Sequence, residues 1–194
     1  ASGKGTIASG LAKLYGLPQL DTGLLYRAVG IAVLARSADL DDEAVAAKIA
    51  KDLNLADLDI PAHRTRAAGE AASRVAVHPA VRQALLQAQQ AFARQPSGAV
   101  IDGRDIGTVI APEATAKLFV TASPEVRAQR RWKQLTGQGE SVSLDDVLDD
   151  IRIRDARDQG RGTAPLVMAK DAILLDTSQM SIDVAADAAR RIVE

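Results

Sequence analysis

At 194 residues, with 47 % hydrophobic side chains and 24 basic against 25 acidic groups, the chain fits one α/β domain. Its charge balance gives no footprint for nucleic acid, and no apolar run reaches the roughly 18–20 residues of a membrane span. The absence of cysteine excludes disulfides, thiolate metal sites and a cysteine nucleophile, and two histidines, His63 and His78, cannot build a histidine-rich metal site. In chain order, Ile7, Leu11, Leu14 and Tyr15 recur at helical spacing, and Gly16 and Pro18 stop that helix. Residues 17–21 read as a short strand, and 24–35 as a helix apolar on most of its surface and therefore well packed. Between Ser37 and Glu70 the pattern gives a helix over 42–53, a connection centred on Pro61 and no secure strand. Helical spacing returns over 70–77 and 79–93, with Pro79 opening the second piece. Residues 98–101 and 117–121 read as buried parallel strands. Ser123-Pro124-Glu125 opens a helix that Gly137 and Gly139 end, and another runs from Leu144, with Ser143 as cap, to Asp158 before Gly160 and Gly162. Residues 173–176 are the last strand, and Ser181 caps a terminal helix. Strands alternating with helices imply a parallel sheet covered on both faces.

Ser2-Gly3-Lys4-Gly5-Thr6 at the first helix start is the second half of a Walker-type phosphate loop in its GKGT form. Glycines let backbone N–H groups wrap a phosphate, the helix terminus adds partial positive charge, and Lys4 meets the β and γ oxygens. Thr6 is expected near Mg2+. Taken alone the motif is equally a capped helix start with an exposed lysine. The first glycine of the loop, and the strand that must lead into it, are expected before Ala1; a protein truly starting at Ala1 would be unstable and nearly inactive.

Further motifs follow: Asp21-Thr22-Gly23 with Tyr26-Arg27, Ser73-Arg74 inside 72–76, Pro79 with Val81-Arg82, Asp102-Gly103-Arg104-Asp105 with Gly107-Thr108, and Arg154-Asp155, Arg157-Asp158, Arg161 and Ala164-Pro165-Leu166. Asp176-Thr177 and Ser181-Ile182 close the set. With GKGT, and in this order, these motifs resemble the signature of bacterial cytidylate kinases. The resemblance implies a doubly wound P-loop fold with a five-stranded parallel sheet, in a single domain. It also implies a monophosphate-binding region over about 37–95 and an arginine-bearing lid over about 130–163. It implies transfer of the γ-phosphoryl group of ATP, with Mg2+, to CMP or dCMP in a cytoplasmic enzyme. Thr22, Arg27, Arg104 and Arg161 would hold the acceptor phosphate, with Tyr26 beside them. Ser73, Arg82 and Asp105 would read cytosine, and Arg154 and Asp158 would contact the sugar. Lys4, Arg104, Arg154 and Arg161 are the expected catalytic set.

The chemistry is consistent with these assignments, because a monophosphate dianion matches the planar fork of arginine. Cytosine offers an amino donor beside an N3 acceptor, which a carboxylate and a guanidinium complement, while uracil reverses both. The acceptor phosphate is itself an anionic nucleophile, so no general base is needed. Asp102, at a strand end, is either a turn cap or the holder of a magnesium-bound water. Arg130, Arg131 and Arg157 are expected to contact ATP or the moving phosphoryl group. Arg127 and Arg152 are expected to be helix-face residues paired with nearby aspartates, Trp132 to pack near the lid, and His63 and His78 to lie at the surface or in loops. Gly137 to Gly139 and Gly160 to Gly162 read as hinges, and a lid that swings goes with a monomer. The chain departs from the family pattern in a short connection between Arg27 and Ser73 and in a lid poorer in arginine. Other readings are a uridylate-preferring or shikimate-type kinase, which Arg82 and Asp105 oppose, and a catalytically dead nucleotide-binding module.

Overall fold

A computed structural model describes residues 2–53 and 65–194; His63 and the Pro61-centred connection lie outside the described residues. Helix α1 (Lys4–Tyr15) starts behind Gly3, whose φ of 87° is open to glycine at little cost, and ends at Gly16 with φ 63°. Strand β1 (Gln19–Asp21) runs into α2 (Thr22–Ala35), where the Asp21 carboxylate accepts the Gly23 N–H at 2.9 Å. Asp42 caps α3 (Glu43–Lys51) by accepting the Val45 N–H. Helix α4 (Arg66–Val75) begins earlier than the apolar pattern predicts because Thr65 accepts the Ala68 N–H. Helix α5 (Pro79–Ala93) opens on its proline.

Strand β2 (Val100–Asp102) leads into a π-helical turn (Ile106–Ile110) that the sequence pattern does not announce. Strand β3 (Leu118–Thr121) precedes α6 (Pro124–Gly137), and α7 (Leu144–Gly160) follows; Ser123 and Ser143 accept N–H groups of the Val126 and Asp146 backbones. Strand β4 (Ile173–Asp176) and α8 (Ile182–Val193), capped by Ser181, complete the described chain.

The strands are parallel, as the alternation with helices predicts, but among the described residues they form two separate pairs rather than one five-stranded sheet. Leu20 pairs with Ile101 in β1–β2, and Phe119 with Leu174 in β3–β4. A cavity of about 970 Å3 lies between the pairs, walled by Val100 and Ile101 on one side, by Leu118 to Thr121 on the other, and by Ile7, Ala8 and Leu11 of α1. Its lining continues to Lys4, Asp102, Gly103, Arg104 and Asp158. Strand ends and the α1 start thus open on one space.

Among the described residues three apolar clusters hold the frame. The largest joins α2, α3, α4 and α5 through Leu25, Val29, Val33, Ala46, Val75, Val81 and Leu85. There Gly30 is required by contact, because a Cβ on it would stand 2.7 Å from the Ala71 Cβ and 2.9 Å from the Ala71 carbonyl carbon. A second cluster seats α1 and α8 on β4 through Ile7, Leu175, Ala185 and Ala189. The third joins α6 to α7 through Ala128, Leu135 and Val147, with Trp132 against it. Trp132 donates Nε1 to the Val142 carbonyl at 3.0 Å, the packing role expected of it. Among the described residues no helix is long and apolar enough to cross a membrane.

Candidate active site

The phosphate-loop residues sit where the motif requires, at the N-terminus of α1, with Gly3 in the left-handed region and Thr6 exposed one turn in. Lys4 turns across to β2 and donates Nζ to Asp102 Oδ2 at 2.7 Å. Asp102 is buried and its Oδ1 has no hydrogen-bond partner among the described residues, so one carboxylate oxygen stays available beside the lysine. That is a poor arrangement for a simple turn cap. Thr22, also buried, donates Oγ1 to the Asp102 carbonyl at 3.0 Å and ties α2 to the end of β2. A side chain at Gly103 would put its Cβ 2.3 Å from that hydroxyl. Behind the loop, the Ser2 carbonyl accepts from Thr177 Oγ1 at 2.8 Å, and Arg130 grips the Thr177 and Met180 carbonyls at 2.8 and 3.1 Å. Arg130 is thus engaged in bracing the loop that follows β4.

A second group of side chains gathers around Asp158, buried in α7. Arg104 Nε donates to Asp158 Oδ2, and Arg161 Nη1 stands 3.7 Å from Oδ1. Arg154, one turn before Asp158, is half-buried; its pKa is lowered to about 9, first by the positive charge of Arg104 and then by burial, with Arg27 and Arg131 adding to the repulsion. Burial, with Arg82 and Arg104 nearby, likewise lowers Arg161 against the opposing pull of Asp158. Arg131 is lowered by burial and by Arg27. Five predicted arginines, Arg27, Arg104, Arg131, Arg154 and Arg161, therefore share one region with the buried Asp158, and Asp105 also acts on Arg161. Among the described residues, buried Nε of Arg154, and Nε and Nη2 of Arg161, have no hydrogen-bond partner. Like charges and unpaired donors at such density cost folding free energy unless an anion completes them.

Beside this group lies a buried ion pair. Arg82 on α5 donates Nη2 to Asp105 Oδ2, and Nη1 to the Ala76 carbonyl at 3.4 Å. Its guanidinium carbon is 5.6 Å from the centroid of the Tyr26 ring. The Tyr26 hydroxyl has its pKa raised by burial, with Arg82 opposing and Asp105 reinforcing the shift. Ser73, buried in α4, has Arg157 Nη1 at 3.4 Å from its Oγ.

Arg157 reaches across to α4. Both Glu70 oxygens accept from its Nη1, at 2.8 and 2.9 Å, which puts it on the Ser73 side of the site. Arg131 donates to Gln134 Oε1 at 3.0 Å and to the Thr65 carbonyl at 3.3 Å. Arg127 is no solvated face: it makes a double contact with Asp155 at 2.8 and 2.6 Å and donates to the Ala122 carbonyl, locking α6 to α7. Arg152 is exposed, 3.5 Å from Glu125 and 3.9 Å from Asp149, as expected. His78 precedes α5 and meets the Leu40 carbonyl through Nε2 at 2.9 Å.

Sequence reasoning passed over the Arg66–Asp150 pair, with contacts at 2.6 and 3.0 Å, and the Arg66 N–H on Glu140. Together with Arg157–Glu70 these bonds join α4 to the 140–157 segment. Their partners lie 74 to 87 residues apart, so no local spacing marks them.

The family described as Cytidylate kinase matches residues 1–194, the whole chain. Over all 194 residues the chain is 67 % identical to the cytidylate kinase of Caulobacter sp. (strain K31), covering 90 % of that protein. It is 61 % identical to that of Xanthobacter autotrophicus, covering 93 %, and 52 % identical to that of Brucella suis biovar 1, covering 89 %. With the family model matched over its whole length and relatives at 52–67 % identity, the chain belongs to the cytidylate kinase family.

Proposed function

We propose that this chain transfers the γ-phosphoryl group of ATP to CMP or dCMP, giving ADP and CDP or dCDP. The observation that carries the reading is the convergence of Arg104, Arg154 and Arg161 on Asp158, with unpaired buried guanidinium donors, between the Lys4–Asp102 end of the cavity and the Arg82–Asp105 pair. A dianion fills the arginine cluster, and a ring with an amino donor beside a nitrogen acceptor answers Asp105 and Arg82. Ser73 takes part in reading the base, and Thr22, Tyr26 and Arg27 take part in holding the acceptor. Arg154 and Asp158 take the sugar.

ATP takes the other end. Gly3, Gly5 and the backbone from Ser2 to Thr6 hold its phosphates, and Lys4 exchanges Asp102 for the β and γ oxygens. Arg130, Arg131 and Arg157 approach from α6 and α7 when the lid closes, Arg157 by releasing Glu70. Mg2+ fits here, because Asp102 meets Lys4 of the loop through Oδ2 and keeps its other, buried oxygen without a hydrogen-bond partner among the described residues: Thr6 would hold the ion directly and Asp102 through water. Bound there it neutralises charge on the phosphate oxygens. The acceptor oxygen needs no deprotonation, so the side chains act by aligning donor and acceptor and by countering charge on the moving group.

The same reading includes a single domain, with a monophosphate-binding region over about 37–95 and a lid over about 130–163 hinged at its glycines. It also includes a five-stranded doubly wound sheet. In support, the cavity between β2 and β3 is walled by strand residues on both sides, as a slot for one more parallel strand leading into the phosphate loop would be. A monomer follows from a lid that must swing, and a cytoplasmic place from the nucleotide substrates.

Coupled assay of ADP release by the natural full-length protein, with CMP, dCMP, UMP and AMP as acceptors, tests the reading. CMP and dCMP are expected to lead, and Asp105→Asn to erase most of the preference over UMP. UMP or AMP as the best acceptor would overturn the base assignment, and ATP binding without acceptor-dependent ADP release would identify a dead nucleotide-binding module.

A further inference from the structure

Thr177 follows β4 in the closing Asp176-Thr177 motif and is 1 % exposed. No step of the proposed reaction uses it, yet its hydroxyl is fully engaged. Arg130 Nη1 on α6 donates to Oγ1 at 3.0 Å, while the carbonyls of Ser2 and Thr121 lie 2.8 and 3.1 Å from it. A hydroxyl has one proton to give and accepts through its lone pairs. Arg130 occupies the accepting side, and its Nη2 holds the Thr177 carbonyl at 2.8 Å, so the residue is gripped from both ends. The Thr121 carbonyl already takes the Thr177 N–H at 2.9 Å. The hydroxyl proton therefore serves the nearer carbonyl, that of Ser2, 175 residues away in the chain.

A peptide unit is planar and trans, so the Ser2 carbonyl and the Gly3 N–H point in opposite directions from one rigid plane. Gly3 stands in the left-handed region, at φ 87° and ψ −3°, and Lys4 begins α1 directly behind it. Whatever fixes the Ser2 carbonyl therefore fixes the direction of the Gly3 N–H, and a glycine has no side chain to fix it otherwise. We propose that Thr177 is a positioning residue of the phosphate loop: its hydroxyl, oriented by Arg130, holds the Ser2 carbonyl and so aims the Gly3 N–H at a phosphate oxygen of ATP. The inference rests on the reading that Ser2 to Thr6 hold the ATP phosphates. Thr177 touches neither nucleotide nor the reacting atoms in this role.

The test is steady-state kinetics, in the natural full-length protein, of Thr177→Val, which keeps the branched shape and removes the hydroxyl, beside Thr177→Ser, which keeps the hydroxyl. Loss of one buried neutral hydrogen bond should raise KM for ATP about fivefold in Thr177→Val, with KM for CMP within about twofold and Thr177→Ser close to wild type. Inorganic tripolyphosphate, which has no base or sugar, should inhibit in competition with ATP, and its inhibition constant should rise by the same factor in Thr177→Val. An unchanged KM for ATP overturns the inference. So does a rise in that KM with an unchanged inhibition constant for tripolyphosphate, because the effect then lies at the adenosine end. Equal rises in KM for ATP and for CMP overturn it in favour of a merely structural role. Should Thr177→Val fail to fold, NMR of the wild type decides: the Thr177 hydroxyl proton should be protected from exchange and tripolyphosphate should shift the Gly3 amide resonance, and failure of either overturns the inference. Wild-type enzyme that tripolyphosphate does not inhibit overturns the reading of the loop and the inference with it, whereas wild type so inhibited beside a Thr177→Val variant of normal KM for ATP overturns the inference alone.

Discussion

Arg154→Met should make the substrate-free protein more stable while weakening its stabilisation by CMP. The Arg154 pKa is lowered to about 9, well below the ordinary guanidinium range, and the first cause is the charge of Arg104. Its folded-state pKa is depressed, so the charged form opposes folding at every pH below 9. That opposition lifts as pH rises from 9 toward the unfolded value. At about 1.4 kcal/mol per unit the shift corresponds to about 5 kcal/mol. Arg154 is only half-buried, so solvent and counter-ions screen much of this, leaving a net gain on substitution of about 1–2 kcal/mol. For a chain of this size that is about 2–8 °C in Tm. Thermal unfolding from pH 7 to 10, with and without saturating CMP, reads the effect. The Tm advantage of Arg154→Met should shrink above pH 9, and CMP should raise its Tm less than that of the wild type. A substrate-free variant less stable than wild type at pH 7, or one stabilised equally by CMP, would refute the claim that the cluster is held under mutual repulsion awaiting an anion.

Arg161→Ala should lower turnover at least tenfold, with the circular dichroism spectrum unchanged; a variant with normal turnover and unaltered CMP affinity would remove Arg161 from the reaction. Asp102→Asn keeps a hydrogen-bond acceptor for Lys4 but loses charge, so the Mg2+ concentration giving half-maximal rate should rise about tenfold while KM for CMP changes little, as measured by Mg2+ titration of the coupled assay. Gly30→Ala forces a methyl against the Ala71 backbone at 2.9 Å and should cost about 1–3 kcal/mol in denaturant unfolding, since backbone on both helices has nowhere to yield.

The local rules carried the chain-order description a long way. Asp42, Ser123, Ser143 and Ser181 each accept a backbone N–H three residues on, and Gly16 adopts the left-handed turn that ends α1; all of this is written within four residues. The site residues were legible for a different reason: their motifs repeat those of a family, and composition alone places none of them. Tertiary structure decided which partner each charge takes. Arg127 and Asp155 meet because Ala128, Leu135 and Val147 bring α6 onto α7, and Arg157 reaches Glu70 because α4 lies beside α7. The π-helical turn after Asp105 is likewise announced by no local pattern. Caps and periodicity act over one helical turn, so sequence alone determined where helices and strands begin and end. Electrostatic partnership acts across space, and only the fold determined that arginines far apart in the chain would gather beside Asp158, next to the buried Arg82–Asp105 pair.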